Sequence, residues 1–412
     1  MDRAEADFYL GLNHEDKIRE AAETLAGVIR PTPLVESDFY SGEYGCSVYI
    51  KPEHLQRTGS FKLRGAYNKV ARLPELLIKK GVVAASAGNH AQGVAFAASA
   101  KGIPATIVMP NVTPLIKVDA TRAYGVDVIL HGNDYDECYH KAVALADEND
   151  ATFIHPFDDY EIICGQGTVG LEILEELPEA DEILVPIGGG GLAGGVALIA
   201  KTLKPGVKVI GVVPEGAQSM KLSLEDGRVN RLASVKTVAD GVAVRGPGQL
   251  TFLIAQKYLD EVITVSEKDI MENVLLLMEK HKFVVETAGV LPLAALKHCA
   301  KPGKKTVCVT SGGNIDMVTI SSIINQGMIS RGRIMCFAVE LPDRPGQLVQ
   351  VATLLADLGA NVIGLEHNQF KALDRYSDKV VLEVTVETNG HAHIHRVLET
   401  LKDVGFVIRR IY

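Results

Sequence analysis

The chain has 412 residues, 47% hydrophobic and 23% charged, a globular composition long enough for two or three domains, which excludes a disordered tail and a small disulfide scaffold. Its 42 basic and 51 acidic side chains leave a net charge of −9, so no general positive field is available for a polyanion and nucleic acid is not expected as a partner. In chain order, short apolar and often β-branched runs predict strands at Ser47 to Ile50, Val82 to Ala84, Ala105 to Met109, Asp127 to Leu130, Ile183 to Ile187, Val207 to Val213 and Thr306 to Val309. Between them, helical spacing is met at Gln92 to Ala100, Pro114 to Tyr124, Tyr135 to Asp147, Leu192 to Leu203 and Glu267 to Lys280. This alternation predicts an α/β fold with a mostly parallel sheet and helices on both faces.

After Arg331 the rhythm changes. Strands are expected at Ile334 to Leu341, Ala360 to Leu365, Val380 to Glu387 and Phe406 to Tyr412, with helices at Gly346 to Leu358 and His391 to Val404. That βαββαβ order describes a ferredoxin-like unit, and the expected division is residues 1–330 and 331–412. The six cysteines form no CxxC pair, so neither a metal cluster nor a disulfide framework is suggested and a reducing cytoplasmic setting is expected. The acidic start, with Asp2, Glu5 and Asp7, lacks the plan of a secretory signal. Two uncharged stretches, Gly81 to Ala100 and Ile183 to Ala200, are too rich in glycine, amide or proline for a membrane span.

Three segments can carry chemistry. Ser60 is placed to cap a helix whose first turn holds Lys62, where the helix dipole and burial both lower an amine's pKa and suit it to bond a carbonyl; an isolated lysine there would be a solvated surface residue. Gly188, Gly189, Gly190 and Gly191, followed by Leu192, form a glycine loop after a predicted strand and before a helix, a backbone cup for a phosphate. A dinucleotide would use such a loop too, but no GxGxxG with a later acidic residue is present. Ser86 to Gly93 also joins a strand end to a helix start, where free N–H groups receive a carboxylate or merely make a capped turn.

Taken together, Gly59-Ser-Phe-Lys-Leu-Arg-Gly-Ala66, Ser86-Ala-Gly-Asn-His-Ala-Gln-Gly93, the loop Gly188 to Gly191 and Ser311-Gly-Gly-Asn314 resemble, in order, the motifs of threonine ammonia-lyases. The resemblance covers about residues 15 to 325 and implies the tryptophan-synthase-β-like fold, with a small subdomain at about 53–157 inserted in a larger one. It also implies the cofactor pyridoxal phosphate: Lys62 bonded to it, Phe61 near its ring, Asn89 at its phenolic oxygen, Gly188 to Leu192 around its phosphate and Ser311 at its pyridine nitrogen. A neutral serine there leaves the ring a weaker electron sink than an aspartate would, which favours elimination. The substrate carboxylate is implied at Ser86, Ala87, Gly88, Asn89 and His90, with Glu286 close by, and His90 is not given the proton transfer.

Two departures from relatives matter. Serine racemases have a serine at the position of Ala87, and alanine cannot exchange a proton, so racemisation is disfavoured. A glutamate that ligates a divalent ion in some relatives is Val213 here, so no metal is expected through that position. The segment Val339 to Leu348, with Gly359 to Val362, resembles an ACT domain, which implies an amino-acid effector at Asp343, Gly346 and Asn361 and paired domains in a homodimer or homotetramer. A unit that serves only assembly is the other reading of that segment. The expected activity is β-elimination of L-threonine, with L-serine as a further substrate. A β-replacement synthase or a serine racemase of the same fold, and a non-catalytic amino-acid sensor, are the alternatives.

Overall fold

The computed structural model describes residues 8–368 and 379–412; Asp2, Glu5 and Asp7 lie outside the described residues. It divides into two compact units, Met1–Ile315 and Asp316–Tyr412. The strands of the first unit are β1 (Val35–Glu36), β2 (Ser47–Lys51), β3 (Val82–Ala85), β4 (Ala105–Met109), β5 (Asp127–Leu130), β6 (Thr152–Phe153), β7 (Glu182–Pro186), β8 (Lys208–Pro214), β9 (Glu261–Val265) and β10 (Lys305–Val309). They form two sheets. One has the order β1-β2-β10-β7-β8-β9, parallel except for β1, and the other the order β5-β4-β3-β6, parallel throughout. The smaller sheet is built wholly from chain between β2 and β7.

The physical basis is burial on both faces. β3 and β7 are buried at every position, which only a sheet covered by helices on each side allows, so both read as unbroken apolar runs. The helix Tyr160–Glu176 has no predicted counterpart. It is buried on nearly every face, so it shows no amphipathic period from which it could be read. The predicted helix Glu267 to Lys280 is α-helical only over Glu267–Leu276; a π-turn, Leu277–His281, follows and ends at Lys282 with φ 61°. No helix among the described residues is long and apolar enough to cross a membrane.

The second unit opens with the helix Met317–Ser330, capped by Asp316, whose carboxylate accepts from the Val318 N–H at 2.7 Å. Its strands β11 (Ile334–Pro342), β12 (Asn361–Asn368), β13 (Lys379–Glu387) and β14 (Val407–Arg410) form one antiparallel sheet in the order β12-β13-β11-β14, the ferredoxin-like arrangement. Alternate residues of β13 are buried with Phe337, Val351, Val397 and Leu401 in a core of its own.

Candidate active site

Lys62 begins the helix Lys62–Ala71. The loop before it is tied to the chain beyond β10: Phe61 N–H donates to Ser311 O at 3.1 Å, Gly313 N–H donates to Gly59 O at 2.8 Å, and Ser60 forms an isolated bridge with Gly312. Gly59 has φ +72°, and a Cβ there would stand 2.4 Å from Asn314 Oδ1, so only glycine fits. The expected Ser60 cap is not formed. Phe61 occupies the cap position without a side-chain bond, because the bridge to Gly312 holds Ser60 one residue too early, and the buried Ser60 Oγ is left without a partner. Lys62 Nζ donates to Pro156 O at 2.7 Å and lies 5.3 Å from the centre of the Phe61 ring. Lys62 keeps some accessible surface where it borders the site, but its amine is enclosed, and burial lowers its pKa to about 8 against the opposing pull of the Glu286 carboxylate.

Glu286 is only 9% exposed and accepts from Asn89 Nδ2 with both carboxylate oxygens, at 2.8 and 3.1 Å. Asn314 Nδ2 donates to Asn89 Oδ1 and to Thr58 O, each at 2.8 Å, so one amide chain joins the Lys62 loop, the head of the helix Asn89–Lys101 and Glu286. Burial raises the Glu286 carboxyl, and the Asn89 amide partly offsets that rise. A Cβ on Gly312 would come within 2.5 Å of Glu286 Oε1, which explains the glycine there.

Ser86, Ala87 and Gly88 form the turn from β3 into the helix at Asn89, with Gly88 N–H donating to Ser86 Oγ at 3.2 Å. These residues and Asn89 stay partly exposed, whereas His90 is buried. Its Nε2 faces the carbonyl of Ile154 at 2.9 Å; a carbonyl only accepts, so Nε2 carries the proton. Burial first, and the Lys62 charge second, lower its pKa to about 3 and keep it neutral.

Gly188 to Gly190 follow β7, and Gly191 opens the helix Gly191–Leu203. A Cβ on Gly189 would stand 2.3 Å from the Phe157 ring, one on Gly191 3.1 Å from Phe157, and one on Gly188 3.0 Å from Val242 Cα, while Gly190 has φ +99°. The first bond of this helix runs from Gly194 N–H to Gly190 O at 2.8 Å, so the N–H groups of Gly191, buried Leu192 and Ala193 lack intrahelical acceptors and suit an anion. Ser311, 3% exposed, stands just past β10. Thr310 beside it accepts from His54 Nδ1 at 2.9 Å and donates to Lys51 O at 3.1 Å, which fixes that strand end. An amine of lowered pKa and a cradle of backbone N–H groups closed to any Cβ fit an aldehyde that carries a phosphate, as pyridoxal phosphate does.

Sequence reading missed what holds these parts. Arg64, with Glu53, is fully buried, and its guanidinium donates to both Glu53 oxygens at 2.7 and 2.8 Å and to Glu172 at 2.5 and 2.9 Å. Lys51 Nζ reaches the same Glu172 at 2.6 Å. Burial works to raise the Glu53 carboxyl, but the Arg64 guanidinium overrides it and holds Glu53 below the usual carboxylate range. The motif displays Arg64 two residues after Lys62, yet Glu172 lies 108 residues from it and leaves no local signal.

Val213 is packed into the core from β8. In the second unit, Asp343 and Gly346 are exposed between β11 and the helix Gln347–Asp357, Gly346 with φ +95°. Asn361 heads β12 and donates Nδ2 to Glu387 Oε2 at 2.9 Å.

The pyridoxal-phosphate dependent enzyme family matches residues 25–312, and the ACT domain family matches residues 337–406. An L-threonine ammonia-lyase of Thermotoga maritima is 46% identical over 395 residues, 96% of this chain and 98% of that protein. An L-threonine ammonia-lyase of Geobacter sulfurreducens is 45% identical over 394 residues, 95% of this chain and 98% of that protein. The processed threonine deaminase isoform 2 from Solanum lycopersicum matches with a TM-score of 0.74 and 38% identity, over 80% of this chain and 90% of its own. Similarity that runs nearly from end to end, across both units, makes this chain a member of the pyridoxal-phosphate dependent enzyme family, among its threonine ammonia-lyases, with an ACT domain of its own.

Proposed function

We propose that the protein is an L-threonine ammonia-lyase, which eliminates water from L-threonine and releases 2-oxobutyrate and ammonia, and that it also accepts L-serine. The observation that carries this reading is the enclosed Lys62 amine, uncharged in part near neutral pH, in the same unit as a glycine cup made for phosphate. Pyridoxal phosphate supplies the electron sink that makes the α proton of a bound amino acid labile. Lys62 would hold that group and, once free, take the α proton; a base with a pKa of about 8 is suited to both tasks.

The other residues bind and orient. Gly188 to Leu192 would hold the phosphate by backbone N–H groups, Phe61 would pack beside the ring, and Ser311 would face its nitrogen as a neutral partner. The turn Ser86 to Asn89 would receive the substrate carboxylate at a helix start, and His90 supports that turn through Ile154. Glu286 orients Asn89 by accepting from its Nδ2 through both carboxylate oxygens. Serine differs from threonine by one methyl, worth about 1–3 kcal/mol in such a pocket, so discrimination is modest.

Incubation of cofactor-loaded protein with L-threonine should give a steady rise of 2-oxobutyrate, and Lys62→Ala should abolish it. Normal turnover by that variant would sink the assignment. The ACT domain would carry an amino-acid effector, isoleucine first among candidates, acting by unequal affinity for two states of the enzyme. The exposed Val362, Ile363 and Leu365 on the edge strand β12 support pairing of this unit in a dimer or tetramer, which light scattering of the purified protein would read. Six free cysteines suit a reducing compartment such as the cytoplasm.

A further inference from the structure

Between β6 and the helix Tyr160–Glu176 the chain makes a tight turn, His155 to Asp158. His155 Nδ1 accepts from the backbone N–H of Phe157 at 3.2 Å and of Asp158 at 2.8 Å. A ring nitrogen that accepts N–H groups carries no proton, so the ring is neutral with its hydrogen on Nε2. Burial agrees, lowering the pKa to about 4 against the carboxylates of Asp158 and Asp159. Edge-on contacts with Tyr139, Phe153 and Phe157, centres 6.3, 6.1 and 4.7 Å away, hold the ring at this angle.

The other three residues of the turn then reach parts of the site, Asp158 through one neighbour. Pro156 O accepts from Lys62 Nζ at 2.7 Å. The Phe157 ring fills the space that a Cβ on Gly189 would need. Asp158 accepts from the N–H groups of Gln249, Leu250 and Thr251 at 3.0, 3.0 and 3.1 Å, and Thr251 Oγ1 donates to Gly189 O at 2.6 Å. Lys62 and the glycine cup are thus joined through one turn of four residues. Its shape depends on a lone pair from His155.

We propose that His155 is a positioning residue: by closing this turn it sets where the Lys62 amine stands relative to the cup. Proton abstraction by His155 is not the role, because Nδ1 is already engaged by two donors and Nε2 bears hydrogen. The proposal rests on Lys62 as the lysine that holds the cofactor.

The test compares three variants of the full-length protein. In His155→Asn the side-chain oxygen occupies the place of Nδ1 along the chain and accepts from the same two N–H groups, as in an Asx turn. His155→Gln moves that oxygen one carbon outward, and His155→Leu removes it. The measurements are the dissociation constant of pyridoxal phosphate, its borohydride trapping on Lys62 located by peptide mass spectrometry, kcat and KM for L-threonine, and the melting temperature. His155→Asn should stay within about threefold of the unsubstituted protein, while His155→Gln and His155→Leu should lose about tenfold or more in cofactor binding and about 10- to 100-fold in kcat, with KM changed far less, as a displacement near 1 Å entails. Folded Gln or Leu variants that bind and trap the cofactor normally would overturn the proposal, as would an Asn variant as impaired as the Leu one. If the Leu variant does not fold, the Asn and Gln pair decides. Trapping of the cofactor on another lysine in the unsubstituted protein would overturn the role of Lys62 itself, whereas trapping on Lys62 that the variants do not weaken overturns only the role of His155.

Discussion

A lysine that bonds an aldehyde and later removes a proton must be uncharged for part of the time near neutral pH, and Lys62 reaches that condition by burial, not by a cationic neighbour. The Glu286 charge acts the other way, so the two influences are separable. In cofactor-free protein the rate of pyridoxal phosphate attachment should rise with pH through a midpoint near 8. Glu286→Gln removes the raising charge and should move that midpoint down, seen in initial rates of absorbance change across the pH range; a midpoint that stays or rises would show that the amine does not sense Glu286. Ala87 makes a second prediction at this scale. With L-serine the protein should release keto acid and no D-serine on chiral chromatography, because the side chain at position 87 has no proton to exchange.

At the scale of elements, the site depends on how closely three helices approach. A Cβ on Gly165 would stand 2.6 Å from Gly65 Cα, so the helix Lys62–Ala71 lies directly on the backbone of the helix Tyr160–Glu176. A Cβ on Gly195 would stand 2.4 Å from Ile163 O, so the helix that follows the cup is held against the same central helix. Gly165→Ala or Gly195→Ala should therefore separate the lysine from the cup, at a cost of about 1–3 kcal/mol in unfolding free energy and with weaker cofactor binding. Unchanged stability and affinity in both variants would refute this account. The buried pair of Arg64 and Glu53 further anchors the lysine helix, and the same guanidinium reaches Glu172 on the central helix. Glu53→Ala leaves the guanidinium short of a partner and should cost about 3–5 kcal/mol by denaturant titration. Because the native Glu53 pKa is held down, its stabilising share is present at neutral pH and is lost as pH falls through that lowered value.

At the scale of the whole molecule, each unit has a hydrophobic core of its own, as a domain that folds as a unit does. Deletion of Ile334 to Tyr412 should leave threonine turnover in place and abolish inhibition by isoleucine. Inhibition that survives the deletion would put the effector site in the chain before Ile334. The βαββαβ unit was legible because β13 alternates buried and less buried residues, and each half repeats the same simple plan. The division of the first unit into two sheets was legible only through its resemblance to a family. Short buried strands such as β3 and β7 look alike, and their order in a sheet leaves no trace in their composition.

What the sequence determined by itself is the chemistry that neighbours in the chain can perform: a lysine at a helix start, four consecutive glycines that lead into a helix, and a turn that opens a helix at Asn89. Such motifs are readable because their function needs only adjacent residues. The tertiary structure decided which partners these residues meet. Asn89 bonds a glutamate 197 residues away, Lys62 a carbonyl 94 residues away, and Ser60 is drawn into a bridge that denies it the cap its position suggests. Contacts between distant segments impose no period and no spacing on the chain, so burial, and with it the lowered pKa of Lys62 and the raised pKa of Glu286, exists only once those segments have packed.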